Sequence, residues 1–328
     1  MDKQHTKEQI NLIALWAFCE SGLGGILHAI KLPFTGFFVG GFACIILMLL
    51  AEQFKHKPYQ ILKATLLVMS IKFMVSPQAP LPAYIAVAFQ GLFAWLVFGV
   101  FGRNLLTCML YASIALLESA LQKFLLATLI YGKSIWEALD LFVIGLLKDF
   151  NLSQNFSFSY WLIIIYASIY FLWGLFLGYK SYFLPQKLLK LASILPRFEP
   201  NPVAVNKKTK KLSLKWLSLL LTLVFIGITF WLSEGTLHKG LYVFTRTLVV
   251  IFVLLFIVNP LLRMLLQKIS KKMASESLFA LVNKQMQYFT ESVQSVWQFS
   301  GGRKNRIGRV WYFMELLLAI SLYPPDEN

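Results

Sequence analysis

The run Pro82-Ala83-Tyr84-Ile85-Ala86-Val87-Ala88-Phe89-Gln90-Gly91-Leu92-Phe93-Ala94-Trp95-Leu96-Val97-Phe98-Gly99-Val100-Phe101 decides the fold, because it holds one amide, Gln90, and no charge. A helix rises 1.5 Å per residue, so roughly 20 apolar residues cross the hydrocarbon core of a bilayer. The run is too long and too continuous for a tilted barrel strand. Comparable runs occupy residues 10–30, 35–51, 59–75, 105–131, 158–179, 214–233 and 241–266. The pattern predicts an all-α, polytopic membrane protein of about eight transmembrane helices, with amphipathic surface helices beside them.

Composition agrees. With 58% hydrophobic and 14% charged residues over 328 positions, a water-soluble domain would lack the polar surface to cover its core. Lys3 and Lys7 precede the first run as in a signal peptide, but Glu20 interrupts it and no Ala-x-Ala-like site follows, so it reads as a retained helix.

The net charge of +16 raises the question of nucleic acid. The basic residues answer it by their placement. Lys55, Lys57, Arg103, Lys187, Lys190, Arg197, Lys207, Lys208, Lys210, Lys211, Lys268, Lys271 and Lys272 all fall in connections on one side if the N-terminus is cytoplasmic. Lys31, Lys133, Lys148 and Lys239 are the outer exceptions, the last three with Glu137, Asp140, Asp149 and Glu234 among their neighbours. Attraction to anionic headgroups explains this pattern without nucleic acid. It predicts a multi-pass protein of the cell (inner) membrane with both termini cytoplasmic. Cys19, Cys44 and Cys108 lie within expected spans without a CxxC spacing and are read as packing residues, with no metal and no cofactor expected.

The chain divides at a basic, proline-rich linker. Pro185, Pro196, Pro200 and Pro202 are followed by Lys207-Lys208-Thr209-Lys210-Lys211, which breaks helices and holds residues 185–213 in water, with one short surface helix around Lys187 and Lys190. Residues 1–184 then form a six-helix bundle, and 214–328 hold two spans and a cytoplasmic amphipathic tail. In that tail Leu278, Leu281, Val282, Gln285, Tyr288, Phe289, Val293 and Val296 make a mostly apolar stripe, and the run 310–322 is too short to span, so it is expected to dock on the membrane surface or a partner. Between the fifth and sixth spans, Ile135, Leu139, Phe142, Val143, Leu146 and Leu147 recur at helical spacing and suit a lid.

Polar side chains inside apolar runs are the candidates for function, since each costs on the order of 3 kcal/mol to bury in lipid. They are Glu20, His28, Lys72, Gln90, Glu118 and Gln122, with Lys123 beside them and Gln78 on a proline-rich outer loop. Glu20 and His28 share a helix face, and Glu118 and Gln122 are an i,i+4 pair. Together they fit a solute pocket in the outer half of the bundle. The competing reading makes Glu20 or Glu118 the structural ion-pair partner of Lys72 or Lys123, with Gln90 bonded to a neighbouring backbone carbonyl.

The runs Leu15-Trp16-Ala17-Phe18-Cys19-Glu20-Ser21-Gly22-Leu23-Gly24-Gly25-Ile26-Leu27-His28, Pro33-Phe34-Thr35-Gly36 and Ser76-Pro77-Gln78-Ala79-Pro80-Leu81-Pro82-Ala83-Tyr84 resemble the substrate-binding S components of energy-coupling factor transporters over residues 1–178. The resemblance implies a six-helix protein that captures a vitamin or metal ion from outside and delivers it to a coupling subunit and cytoplasmic ATPase subunits. It also implies that the small residues Ala17, Ser21 and Gly25 face the coupling subunit. Gly302-Arg303 and Gly308-Arg309 are faintly similar to the small-residue-plus-Arg motif with which coupling subunits grip ATPases, so Arg303 and Arg309 become candidate partner contacts.

No GxxxxGK[ST], HExxH, GxSxG or Asp-rich cluster is present, and the chain is not expected to be an enzyme. The leading expectation is a transport subunit that captures a small polar solute and passes it to an ATP-driven partner. The alternatives are a non-catalytic membrane scaffold or assembly subunit, then a membrane-embedded transferase acting on a lipid.

Overall fold

The computed structural model describes residues 7–23, 36–76, 79–149, 157–193, 237–274, 277–302 and 306–323. Every regular element among them is helical. They are α1 Lys7–Phe18, α2 Gly41–Gln53, α3 Gln60–Val75, α4 Leu81–Phe101, α5 Leu105–Tyr131, α6 Ser134–Asp149, α7 Phe158–Ala192, α8 Leu237–Phe252, α9 Asn259–Ala274, α10 Ser277–Phe299 and α11 Arg306–Leu322. Wider π turns extend α1 at Cys19–Leu23, lead into α2 at Gly36–Gly40 and join α8 to α9 at Val253–Val258.

Five helical stretches among the described residues are long and apolar enough to cross a membrane: Gly36–Gln53, Leu81–Phe101, Leu105–Tyr131, Phe158–Ala192 and Tyr242–Met273. The chain is an all-α, multi-pass membrane protein. One of the eight expected spans falls short of this standard. α3 has 16 residues, about 24 Å of helix at 1.5 Å per residue. The expected span 10–30 is described only to Leu23, and the expected span 214–233 lies outside the described residues.

Contacts divide the chain into two compact units, one of residues 1–121, 166–203 and 262–328, the other of 122–165 and 204–261. In the first unit α1 is the central element. Leu12, Ile13, Ala14, Leu15, Trp16 and Ala17 are all fully buried, enclosed by α2, α3, α10 and α11. An all-round apolar helix buries all round, so its sequence carries no stripe to reveal its neighbours. α10 meets it through Val282, Phe289 and Val296, one residue every two turns, while Asn283, Lys284 and Gln287 remain exposed. α11 buries Glu315 and the run 316–322 in the same unit. The run 310–322, expected to dock on the membrane surface or a partner, therefore packs with α10 against the chain's own first helix.

The α4–α5 hairpin is built by local hydrogen bonds. Gly102 ends α4 with φ +65°. Asn104 then caps α5: Thr107 N donates to Asn104 Oδ1 at 2.9 Å, and Asn104 N donates to Thr107 Oγ1 at 2.9 Å. This is a reciprocal capping arrangement that satisfies first-turn donors. α7 packs on α5 backbone to backbone, since a Cβ at Gly174 would lie 2.4 Å from Ser113 Cα and one at Gly178 would lie 2.5 Å from Cys108 O. Two glycines four apart permit such an approach.

α7 also departs from expectation. It runs through Pro185 to Ala192, so Lys187 and Lys190 continue a spanning helix and form no separate surface helix. A proline inside a helix leaves the carbonyl four residues earlier without its donor. Here Arg103 takes that place, its Nη2 donating to Ser181 O at 2.7 Å and Tyr182 O at 3.2 Å.

In the second unit, Trp136 Nε1 donates to Thr128 Oγ1 at 2.9 Å, which ties the start of α6 to the end of α5. Arg246 Nη2 and Thr247 Oγ1 donate to Thr128 O and Ile130 O in the last turn of α5, Thr128 O accepting from Gly132 N as well. Asp140 of α6 caps α7, accepting from Ser159 N at 2.6 Å and from Ser159 Oγ and Ser157 Oγ. Leu141, Phe142 and Leu146 of α6 are exposed, as suits an amphipathic helix at a membrane boundary.

Candidate functional site

The polar residues inside the first unit sort into a paired set and an unpaired set. Glu20, on the π turn after α1, meets Lys72 near the end of α3. Their Nζ–Oε2 distance is 2.7 Å, with side chains 4% and 6% exposed. Lys72 Nζ also donates to Ala83 O at 3.3 Å and lies over the Tyr84 ring. Around the pair, Ser76 Oγ donates to Ser21 O at 2.9 Å and Tyr84 OH donates to Ser76 O at 3.3 Å. Two charges taken out of water together, with further hydrogen bonds to use their remaining donors, form a compensated network. It joins α1, α3 and α4.

The second set is uncompensated. Gln90, midway along α4 and 1% exposed, has its side-chain Oε1 buried without a hydrogen-bond partner. Glu118 Oε2 on α5 and Trp173 Nε1 on α7 are in the same condition. Buried polar atoms left unpaired cost about 1–3 kcal/mol each, so they are rare and call for an explanation. Two of the three, Gln90 and Trp173, border one backbone feature, the π turn Gly36–Gly40 and the glycine after it. A Cβ at Gly40 would lie 3.2 Å from Gln90 Nε2 and 3.8 Å from Ser119 Oγ. One at Gly41 would lie 3.3 Å from Trp173 Nε1. Phe37, within the turn, stacks on Trp173 at 4.7 Å between ring centroids and meets Tyr170 edge-on at 5.3 Å. Tyr170 exchanges a hydroxyl hydrogen bond of 3.0 Å with Tyr166.

The expected site residues are thus placed as follows. Glu20 and Lys72 are together, as partners of each other. Gln90 and Glu118 are unpartnered at the side-chain oxygens just named. Gln122 is half-buried in the C-terminal half of α5 and belongs to the second unit. His28, Gln78, Gly25 and Arg303 lie outside the described residues. Ala17 and Ser21 are buried; Ser21 Oγ donates to Ala17 O and sits 3.8 Å from Met286 Sδ of α10. Arg309 donates from Nη2 to Trp297 O at 3.0 Å and from Nε to Ser300 Oγ at 3.3 Å, and lies 4.3 Å over the Trp297 ring. It therefore seals the end of α10 from within the chain.

Sequence reasoning missed Ser119 and the glycines of the π turn. Ser119 is adjacent to Glu118 and was hidden by the charged residue's stronger signal. The spacing Gly36, Gly40, Gly41 was the one available sign, because helix-interior glycines need a reason. The three cysteines are buried and unpaired with one another. Among the described residues no group of His, Cys, Asp or Glu side chains could hold a metal ion.

No known protein family, characterised protein or solved structure matches this chain.

Proposed function

We propose that this chain is the solute-capturing subunit of a membrane transporter. It takes a small polar solute into the helical bundle and passes it on with energy from an ATP-driven partner. The observation that carries the reading is the pair of buried, unpartnered side-chain oxygens on Gln90 and Glu118, in two mostly apolar spans. Such atoms cost stability in the empty protein and gain partners when a hydrogen-bonding ligand enters. The resemblance of residues 1–178 to S components supports the same reading, as does the cover of Ala17 and Ser21 by α10. In an S component that face meets the coupling subunit, and here the chain brings its own C-terminal arm to it. On this reading about eight helices cross the inner membrane, both termini are cytoplasmic, and α10 and α11 form the arm that an ATPase would engage.

The test is chemical. The full chain is extracted from its native membrane in polymer-bounded lipid discs, and the small molecules released on denaturation are identified by mass spectrometry. A polar solute that is enriched in the wild type and lost in Glu118→Gln supports capture. Lipids alone, in the same amounts for both proteins, overturn it.

A further inference from the structure

In the second unit a groove of about 370 Å³ opens on α8 and the turn after it, lined by Leu248, Val249, Ile251, Phe252, Leu255 and Phe256. Val249, Phe252, Leu255 and Phe256 are exposed, and the most apolar stretch of the span Tyr242–Met273 has none of its residues buried by the rest of the described chain. Phe252 and Phe256 stack at 4.8 Å between centroids. The π turn Val253–Val258 runs through the far half of the groove, and such turns are frequent at functional sites.

Length and composition say what fits. The lining covers positions 248 to 256, about 13 Å of helix, close to half of the ~30 Å hydrocarbon core and so to the depth of one leaflet. Helices that pair in lipid meet through small residues, which let their backbones approach. Residues 248–256 include no Gly, Ala, Ser or Thr. Their branched and aromatic side chains suit a flexible chain better than a second helix.

The near end of the groove is cationic. Arg246 precedes Val249 by three positions, so the two are neighbours on the helix surface. It stands four residues inside the start of the span at Tyr242, about 6 Å of helix, which an arginine covers by snorkelling to the headgroups. Among the described residues its guanidinium makes one hydrogen bond, from Nη2 to Thr128 O at 3.5 Å, and no salt bridge. Thr128 O already accepts from Gly132 N at 2.9 Å. The other N–H groups of the planar fork match the oxygens of a phosphate.

We infer that Arg246 and this groove form a site for one anionic phospholipid, its phosphate on the guanidinium and an acyl chain along residues 248–256. A zwitterionic lipid brings the same phosphate with an ammonium that the arginine repels. Contact with the end of α5 uses one donor of Arg246, so that role and the lipid site are separable: Arg246→Gln keeps an N–H for Thr128 O and removes the charge.

The experiment reconstitutes the full chain in lipid discs of equal parts phosphatidylglycerol and phosphatidylcholine, one or the other carrying a photoreactive acyl chain. Labelled peptides are mapped by mass spectrometry. The expected result is labelling within 248–256 that is stronger from phosphatidylglycerol by about fivefold, the scale of one arginine near an anionic surface. Arg246→Gln should remove that preference and Arg246→Lys should keep most of it. Val249→Trp, which fills the groove, should abolish labelling there and leave that of Leu81–Phe101 unchanged. Equal labelling from the two lipids in the wild type overturns the site, as does a preference that survives Arg246→Gln. Absence of label at 248–256 while Leu81–Phe101 is labelled also overturns it and leaves this face to a partner helix.

Discussion

Arg103 stands in for the amide proton that Pro185 lacks, and a double-mutant cycle between the two measures that substitution. Pro185 removes the donor that Ser181 O would otherwise meet in the helix, and Arg103 Nη2 reaches that oxygen at 2.7 Å. The guanidinium does more: Nη1 is 3.4 Å from Glu52 Oε2, and the group lies 5.5 Å over the Tyr182 ring. Arg103→Met keeps the length of the stem and deletes the donors. A hydrogen bond to a charged group contributes about 1.5–3 kcal/mol, and this side chain is only 9% exposed, so the single substitution should cost about that much. Pro185→Ala restores an N–H to Ser181 O and relieves the ring's clash with that carbonyl. In that background Arg103→Met still loses Glu52 and the Tyr182 ring but no longer orphans Ser181 O. Those shared losses cancel in the cycle, leaving a coupling energy of about 1 kcal/mol or more between residues 103 and 185. Reversible unfolding of the four proteins in mixed detergent micelles reads it. Additivity within about 0.3 kcal/mol would refute the substitution and leave Arg103 as a partner of Glu52 and Tyr182 alone.

Three further outcomes are expected. Lys72→Met leaves Glu20 buried without its partner and should destabilise by about 3–5 kcal/mol, whereas Glu20→Gln with Lys72→Met should recover most of that loss; a double variant no better than the single one would show that the charges do not act as a pair. Gly174→Val drives a side chain into the α5 backbone, where even a methyl would meet Ser113 Cα at 2.4 Å, so monodisperse protein should be lost by size-exclusion chromatography while Gly145→Val, with open space around it, behaves as wild type. Asp140 gives the pH dependence: the Ser159 backbone N–H and the Ser157 and Ser159 hydroxyls hold its carboxyl below the ordinary 3.8, so the cap on α7 is fully present above that value and is lost as pH falls through the lower folded value. Protection of the Ser159 amide from hydrogen exchange, corrected for intrinsic rate, should be level near neutrality and fall below about pH 4 in wild type. Protection that persists once all carboxylates are protonated would refute the cap.

What was legible in the sequence follows from how far each signal travels along the chain. The apolar runs of α2, α4, α5 and α7 are local and appear as helices close to where length and hydropathy put them. The stripe Val282, Phe289, Val296 announces a buried face, and it is the face α10 presents to the bundle. What covers it was hidden, because α1 is apolar on every side and offers no direction. The continuation of α7 past Pro185 was illegible for a different reason: the compensating donor is Arg103, 78 positions before the Ser181 carbonyl that it serves. Gly174 and Gly178 carry a readable small-residue spacing, and it marks the α5–α7 contact. The candidate site was half legible, since the costly residues Gln90 and Glu118 stand out by type, while Ser119 and the glycine cradle acquire meaning only from their neighbours.

Polar residues of the same chemical type take opposite roles in this bundle, and the accounting of donors and acceptors separates them. Glu20 and Glu118 are both carboxylates in apolar helices. Glu20 meets an ammonium at 2.7 Å, and that ammonium also reaches Ala83 O, so any ligand entering there would have to break a bond for each one it made. Glu118 and Gln90 have oxygens with nothing to break. A ligand hydrogen-bonding to them keeps the full gain of each contact against the desolvation already incurred in folding. Substitution separates the two cases by sign. Removing one charge of a compensated pair lowers stability without touching affinity, and removing the unpaired carboxylate lowers affinity while relieving the fold. Glu118→Gln and Lys72→Met should therefore move ligand-free melting temperature in different directions. A drop of similar size in both would mean that Glu118 is held by a partner in the membrane after all, and it would then be part of the scaffold.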